Sequence, residues 1–184
     1  MAVSGSKDFE LNITEFIEEA YERCGLELRT GYDLKTAIRS ANLMLAEWAN
    51  RGLNQWTIST GTQTVTEGTN NYQLGTSTID ILDVTVRRTV GTDTTDIRMD
   101  RLSRSEYFSI PNKDSKAKPS QFFLDKQINP VLFLYPTPEN STDIIRFTKL
   151  ERIDDVDSAT NTMQMPFRLF PCFVAGLAYY LSQK

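Results

Sequence analysis

The side chains that most often perform enzymatic chemistry are scarce in this sequence. Its 184 residues include no histidine and two cysteines. The lack of histidine excludes Ser–His and Cys–His nucleophile pairs, imidazole metal ligands and the commonest general base. Cys24 and Cys172 lack the CxxC spacing of zinc and redox sites and lie in apolar, helix-like stretches, so we interpret them as packed thiols. Catalysis by carboxylates, lysine or tyrosine remains open.

Two kinds of motif resemble ligand sites only superficially. The acidic run DDVDSAT, residues 154–160, lacks the glycine and the distant glutamate of a calcium-binding EF-hand loop. The glycine-containing stretches TEGTNN and TVGTDT read as turns between strands rather than as phosphate-binding loops. We therefore predict no catalytic residue, no metal site and no cofactor, and a protein that is not an enzyme.

Charged side chains are better candidates for function, as parts of interfaces. Four glutamates follow one face of the first predicted helix, five arginines fall between residues 87 and 104, and three lysines occupy residues 113–118. Solvated surfaces, a flexible loop and internal ion pairs with Asp93, Asp96 or Asp100 are the simpler interpretation. Contacts with a neighbouring subunit, a basic partner or passing nucleic acid are the alternative. The candidate interface residues are Glu15, Glu18, Glu19, Glu22, Arg87, Arg88, Arg101, Arg104, Lys113, Lys116 and Lys118.

Net charge and hydropathy argue against two classes of protein. The formal net charge of −4 argues against a general nucleic-acid coat, whose affinity for phosphate would require a basic surface. No run of about 18 apolar residues is present, so we expect no membrane-spanning helix and no membrane partner.

The elements that must position these side chains begin with two amphipathic helices. Apolar residues recur at helical spacing over residues 12–24, with Asn12 and Glu15 as a capping box and Gly25 as the closing residue. A second helix is predicted from Asp33, as its N-cap, to Arg51, followed by Gly52 in the left-handed conformation. The short linker between them favours a helical hairpin.

After Gly52 the pattern changes to strands, and it returns to a helix near the end. Residues 57 to about 153 are rich in threonine, alternate in polarity and are broken by turn residues. This pattern predicts an antiparallel β module, and Trp56 is assigned to its first strand. From Met165 the helical period returns, with regular helix expected near Cys172 because Pro171 delays it. The apolar pattern is unfinished at Lys184, so we expect a longer natural chain.

The predicted fold is therefore α+β, a helical bundle with an inserted antiparallel β module. Residues 9–54 and 163–184 form the predicted helical bundle domain, because neither the hairpin nor the last helix can bury its apolar face alone. Residues 55–162 form the predicted β domain. The predicted core consists of Ile13, Phe16, Ile17, Leu34, Ile38, Leu45, Trp48, Trp56, Phe170, Phe173 and Leu177.

The order of these elements resembles the head-to-tail adaptors of short-tailed bacteriophages. The most specific stretch is EWANRGLNQWTI at the end of the second helix; IPNK, KPSQFF and LYPTP follow in the β module. The resemblance is to the tail tubular protein A class, also described as head-completion or packaged-DNA-stabilising proteins. It covers nearly the whole chain, through patterns of packing and turns rather than catalytic signatures.

This resemblance implies a structural virion protein in the neck between capsid and tail, made in the host bacterial cytoplasm. Its implied partners are eleven further copies in a twelve-subunit ring, the portal protein, the tail nozzle protein, and double-stranded DNA passing without sequence-specific binding. The ring would close the exit of the packaged genome and pass it during ejection. A net acidic passage would keep the duplex mobile.

Two alternatives come from other functional classes. The first is a receptor- or carbohydrate-binding β module of a tail component, which would need an exposed aromatic platform; its candidates are Phe122, Phe123, Phe133 and Tyr135. The second is a polysaccharide-cleaving enzyme with paired carboxylates such as Glu106 and Asp125. Binding or release of sugar by the isolated protein would distinguish either from an adaptor.

Overall fold

The computed structural model describes residue 5 and residues 9–29, 31–53 and 55–184. The chain divides into two compact units. The helical unit is Met1–Trp56 with Ile153–Lys184, and the β unit is Thr57–Arg152. Helices and mainly antiparallel sheets confirm the predicted α+β class.

The described residues form four α-helices and ten strands. The helices are α1 Ile13–Arg23, α2 Gly31–Asn50, α3 Arg104–Ser109 and α4 Phe170–Ser182. The strands are β1 Ile58–Thr64, β2 Asn71–Gln73, β3 Thr78–Val90, β4 Asp93–Arg98, β5 Asp100–Arg101, β6 Lys116–Ala117, β7 Gln121–Asp125, β8 Val131–Tyr135, β9 Thr137–Pro138 and β10 Ile144–Glu151.

Local signals define both ends of α1. The Asn12 side-chain oxygen accepts a hydrogen bond from the Glu15 amide at 3.0 Å, and a Glu15 carboxylate oxygen accepts one from the Asn12 amide at 2.8 Å. This is the predicted capping box. Gly25 follows the helix at φ +69°, which a residue with a side chain rarely adopts. The predicted start and end of α1 are thus confirmed.

The helices α2 and α4 begin earlier than their predicted positions. Asp33 is not the N-cap of α2, because the helix starts at Gly31 and Asp33 lies in its first turn, where an acid suits the helix dipole. Thr30, in the linker of the predicted hairpin, lies outside the described residues. A 3₁₀ turn at Phe167–Leu169 leads into α4, which begins at Phe170. Pro171 lies in the first turn of α4, where the missing N–H has no partner to lose, so it does not delay the helix.

The core of the helical unit joins α1, α2 and α4. Of the residues predicted for it, Ile13, Phe16, Ile17, Leu45, Phe173 and Leu177 are buried, and Leu34, Ile38, Trp48, Trp56 and Phe170 are partly buried against the same cluster. Phe16 packs edge-on against both Phe170 and Phe173. A β-carbon on Gly176 would lie 2.7 Å from the Met44 sulfur, so the glycine allows α4 to approach α2 closely.

The boundaries between the two units differ from the predicted ones. Trp56 is not in a strand: it lies in a 3₁₀ turn, packs on the helical core and donates its indole N–H to the carbonyl oxygen of Gln164 at 2.8 Å. Residues 153–162 also belong to the helical unit, although they were assigned to the β domain. The reason is tertiary packing: Ile153 and Val156 are buried in the helical core, and the Asn42 side-chain amide bonds both backbone groups of Val156. Asn54, the predicted end of the first helical segment, lies outside the described residues.

The β unit contains two four-stranded sheets that enclose one core, and a small two-stranded sheet of β6 and β9. The first sheet has the order β1-β10-β3-β4 and is antiparallel throughout. The second has the order β2-β8-β7-β5. The β5–β7 and β6–β9 pairs are parallel, unlike the predicted module. For β5 and β7, the segment that contains α3 supplies the crossover that a parallel pair requires. Both sheets contribute buried side chains, among them Ile81, Val84, Phe122, Leu132, Leu134 and Ile145.

Candidate interaction surfaces

The first candidate surface is the acidic face of α1. Glu15, Glu18, Glu19 and Glu22 are all exposed, opposite the buried side of the helix. Glu15 belongs to the capping box, and Glu19 accepts a hydrogen bond from Arg23 at 2.9 Å. Within the described residues, no ion pair holds Glu18 or Glu22. These two carboxylates therefore remain available to a partner.

The arginines between residues 87 and 104 are held by carboxylates of the same unit. Arg87 donates two hydrogen bonds of 2.7 Å to Asp96, and this contact lowers the pKa of the Asp96 carboxyl. Arg88 bonds the buried Asp143 and also Glu139, and the hydrogen bonds to Asp143 raise the Arg88 pKa. Asp96 is thus a confirmed internal partner. The remaining arginine pairs are Arg98–Asp83, Arg101–Asp80, Arg104–Asp125 and Arg146–Asp96.

Charge is divided unequally between the two units. The β unit contains twelve lysines and arginines and twelve aspartates and glutamates, so its formal net charge is zero. The whole net charge of −4 therefore falls on the helical unit. The many arginines of the β unit do not give it an excess of positive charge, because its own carboxylates balance them.

Two of the three loop lysines have structural contacts. Lys113 donates to the carbonyl oxygens of Phe108 at 3.3 Å and Ile110 at 2.9 Å, where it binds the carboxyl end of α3. Lys116 bonds Glu67 at 2.8 Å and lowers the pKa of that carboxyl. Lys118 is half-buried. Lysines near the end of a helix often bind its last carbonyl groups, and this general tendency is the signal that could have marked Lys113 as a capping residue.

An aromatic cluster lies on the second sheet, where Tyr107 and Phe108, which the sequence patterns did not indicate, join the candidate platform residues Phe123 and Phe133. Tyr107 of α3 stacks on Phe123 with ring centroids 5.3 Å apart, and Phe123 in turn stacks on Phe133 at 5.9 Å. Tyr107 and Phe123 are buried, and Phe122 lies in the core between the sheets. The rings that could have formed an open platform for sugar are therefore largely covered, and Phe108 is the exposed member of the cluster.

The carboxylates considered for an enzyme are each bound by different groups. Glu106 accepts a hydrogen bond from the Ser103 amide in the capping box of α3, which lowers its pKa. Asp125 accepts hydrogen bonds from Arg104 and from the side chain of Gln127. The lowered pKa of Glu106 does not suit a general acid, which needs a raised pKa near neutral pH.

The described residues contain neither a candidate metal site nor a candidate membrane span. Within the described ranges, no group of three histidine, cysteine, aspartate or glutamate residues could hold a metal ion. In the acidic segment 154–160, Asp157 instead accepts a hydrogen bond from Asn161 at 2.7 Å. None of the helices described is both long enough and apolar enough to cross a bilayer.

The surfaces alone do not identify a protein family, but comparison with known proteins does. No curated protein matches the chain. The sequence profile of the SU10 adaptor proteins matches residues 11–183, which span both units. This family consists of structural adaptors of bacteriophages that contact other virion components. The chain therefore belongs to the SU10 adaptor protein family.

Proposed function

We propose that this adaptor forms a twelve-subunit ring between the portal and the tail nozzle of a short-tailed bacteriophage, of the tail tubular class. The observation that carries the proposal is the family match over residues 11–183. The ring closes the exit of the packaged DNA and passes the DNA during ejection. The adaptor-like stretches from EWANRGLNQWTI to LYPTP support this finer assignment.

The charge distribution is compatible with a passage for DNA. A closed ring of identical subunits requires two different, complementary surfaces on each copy. The net acidic helical unit does not attract phosphate, so a duplex near it stays mobile. The exposed carboxylates of Glu18 and Glu22 provide one candidate surface for a portal or a neighbouring subunit.

The test is electron microscopy of the full-length protein mixed with the portal protein of its own phage. We expect a ring of subunits on the tail-side face of the portal. A folded protein that leaves the portal bare would contradict the proposal.

The acidic face of α1 can be tested in the same mixture. Reversing both charges with Glu18→Lys and Glu22→Lys should reduce ring formation if this face is an interface. The matched control is the double variant Asp154→Lys with Asp155→Lys, which reverses two exposed charges of the same unit outside α1. Equal ring formation by both variants would exclude the acidic face as a contact.

A further inference from the structure

The first sheet of the β unit has two open edges. β1 pairs with β10 and β4 pairs with β3, and neither has a second partner strand in the described part of the chain. Each edge therefore presents a row of backbone N–H and C=O groups without a strand partner. Such rows are templates for pairing with another chain.

The two edges have the right polarity to pair with each other. The four strands alternate in direction across the sheet, because all three pairings are antiparallel. With an even number of strands, β1 and β4 run in opposite directions. A second copy placed beside the first in the same orientation would bring its β1 antiparallel to β4, so the ladder would continue without a break.

The two edges also match in length and lack the usual blocking features. β1 has seven residues, ISTGTQT, and β4 has six, DTTDIR. Neither contains proline, and β1 contains no charged side chain, although exposed edges are commonly blocked by such residues. In β4 the charges of Asp96 and Arg98 are paired within the sheet, with Arg87 and Asp83. Asp93, the first residue of β4, has no ion pair within the described residues, but β1 carries no charge that would repel it.

The stagger of the strands fits a closed sheet. Through β10, the ends of β1 at Ile58 and Thr64 align with Asp80 and Arg87 of β3, whereas β4 aligns with Thr85–Val90. β4 is thus displaced along the strands by roughly four residues relative to β1. Over the three strand spacings between β1 and β4, each about 4.8 Å, this displacement corresponds to a strand tilt of about 43°. Closed sheets have tilts of about 35–45°.

We propose that β4 of one copy pairs antiparallel with β1 of the next copy, so that the first sheets form one continuous ladder around the ring. This inference rests on the proposed ring and names the surface that joins its subunits. The contact is heterologous, with a different edge contributed by each copy, as a closed ring requires.

Amide hydrogen exchange on the unmodified full-length chain tests this contact. Free and portal-assembled protein are compared over residues 58–64 and 93–98. Because amides point alternately to either side of a strand, we expect about half of those in both strands to exchange at least ~10-fold more slowly in the ring. A ring with neither strand, or only one strand, protected would overturn the proposed contact and leave the proposed function intact. Absence of any ring would overturn the proposed function itself.

Proline substitutions separate edge pairing from protection by another surface. In β4, Thr94→Pro and Thr95→Pro remove neighbouring amides, one facing β3 and one facing outward. The variant that unfolds under the same conditions as the wild type is the one that has lost the outward-facing amide. We expect this variant to form rings at least ~10-fold less well than the wild type. Wild-type assembly by that stable variant would overturn the proposal. If both variants unfold, the exchange experiment decides.

Discussion

At the scale of single residues, the packing of Gly61 shows how little space separates β1 from its neighbour. Gly61 lies opposite Phe147 of β10, and a β-carbon at Gly61 would be 2.5 Å from the phenyl ring. The ring belongs to the core between the two sheets, so it cannot easily move aside. The glycine is therefore required by this contact, although its φ angle is an ordinary one.

Gly61→Ala should destabilise the β unit by about 1–3 kcal/mol, because it overpacks a closed core. The measurement is denaturant unfolding of the β unit followed by circular dichroism. Gly75→Ala is the control, since its β-carbon would meet the Ser77 hydroxyl at an ordinary 3.6 Å. Equal stability of the two variants would show that the Phe147 ring yields.

Acid should weaken the β unit through Asp96. Its hydrogen bonds from Arg87 hold the Asp96 pKa below its usual value. Such a group contributes stability above its unfolded pKa of about 3.9, and the contribution is lost as pH falls through the folded pKa. We expect Asp96→Asn to lose less stability than the wild type between about pH 5 and pH 3. In Asp93→Asn, which removes no ion pair within the described residues, the wild-type pH dependence should persist.

Single residues also show where sequence patterns reach their limit. The buried stripe of α1 followed from spacing alone, since a helix repeats every 3.6 residues whatever it packs against. Trp56 was misplaced because a β-like run begins directly after it, while its indole is held by Gln164, more than a hundred residues away. The candidate interface residues stay predictions, because their role depends on partners outside the chain.

At the scale of elements, caps are the best-determined features. Asn12 and Ser103 each form a complete capping box, and all the residues involved lie within four positions of sequence. The parallel β5–β7 pair has no such local signature. Its strands have two and five residues, and α3 lies in the segment between them, so their pairing depends on tertiary packing.

Asn12→Ala should reduce the stability of the helical unit by about 1 kcal/mol, because the Glu15 amide loses its acceptor. Asn12→Gly is the matched control and should cost only a few tenths of a kcal/mol, as glycine is a tolerated N-cap. Thermal unfolding of the helical unit distinguishes the two. An alanine variant as stable as the glycine variant would mean that the capping box adds nothing measurable.

At the scale of the whole molecule, composition changes along the chain predicted an inserted β module but not its exact limits. The chain passes from the helical unit to the β unit between Trp56 and Thr57, and it returns to the helical unit between Arg152 and Ile153. The two ends of the β unit lie close together: the Thr57 hydroxyl donates to the Glu151 carbonyl oxygen at 2.7 Å. Residues 153–164 contain no strand, and Ile153 and Val156 of this segment are buried in the helical core. The loop-like sequence of the segment did not indicate this packing.

The β unit, residues 57–152, should fold by itself when it is produced without the helical unit. It has its own core, and ten ion pairs lie entirely within it. We expect a dispersed amide NMR spectrum and a cooperative thermal transition. A Leu132→Ala variant of the fragment, which truncates a fully buried side chain, should lose about 2–5 kcal/mol. An unfolded wild-type fragment would show that the β unit depends on the helices.

The closeness of Thr57 and Glu151 has a consequence for the order of events during synthesis. The β unit is contiguous and leaves the ribosome complete, while α1 and α2 still await α4. Its folding brings together the two points from which the helical segments depart. The long connection between α2 and α4 thereby becomes short. The conformational entropy of closing this connection is lost when the β unit folds, so it no longer opposes assembly of the helical core. Assembly of the helical core then becomes nearly a local event, despite its separation in sequence.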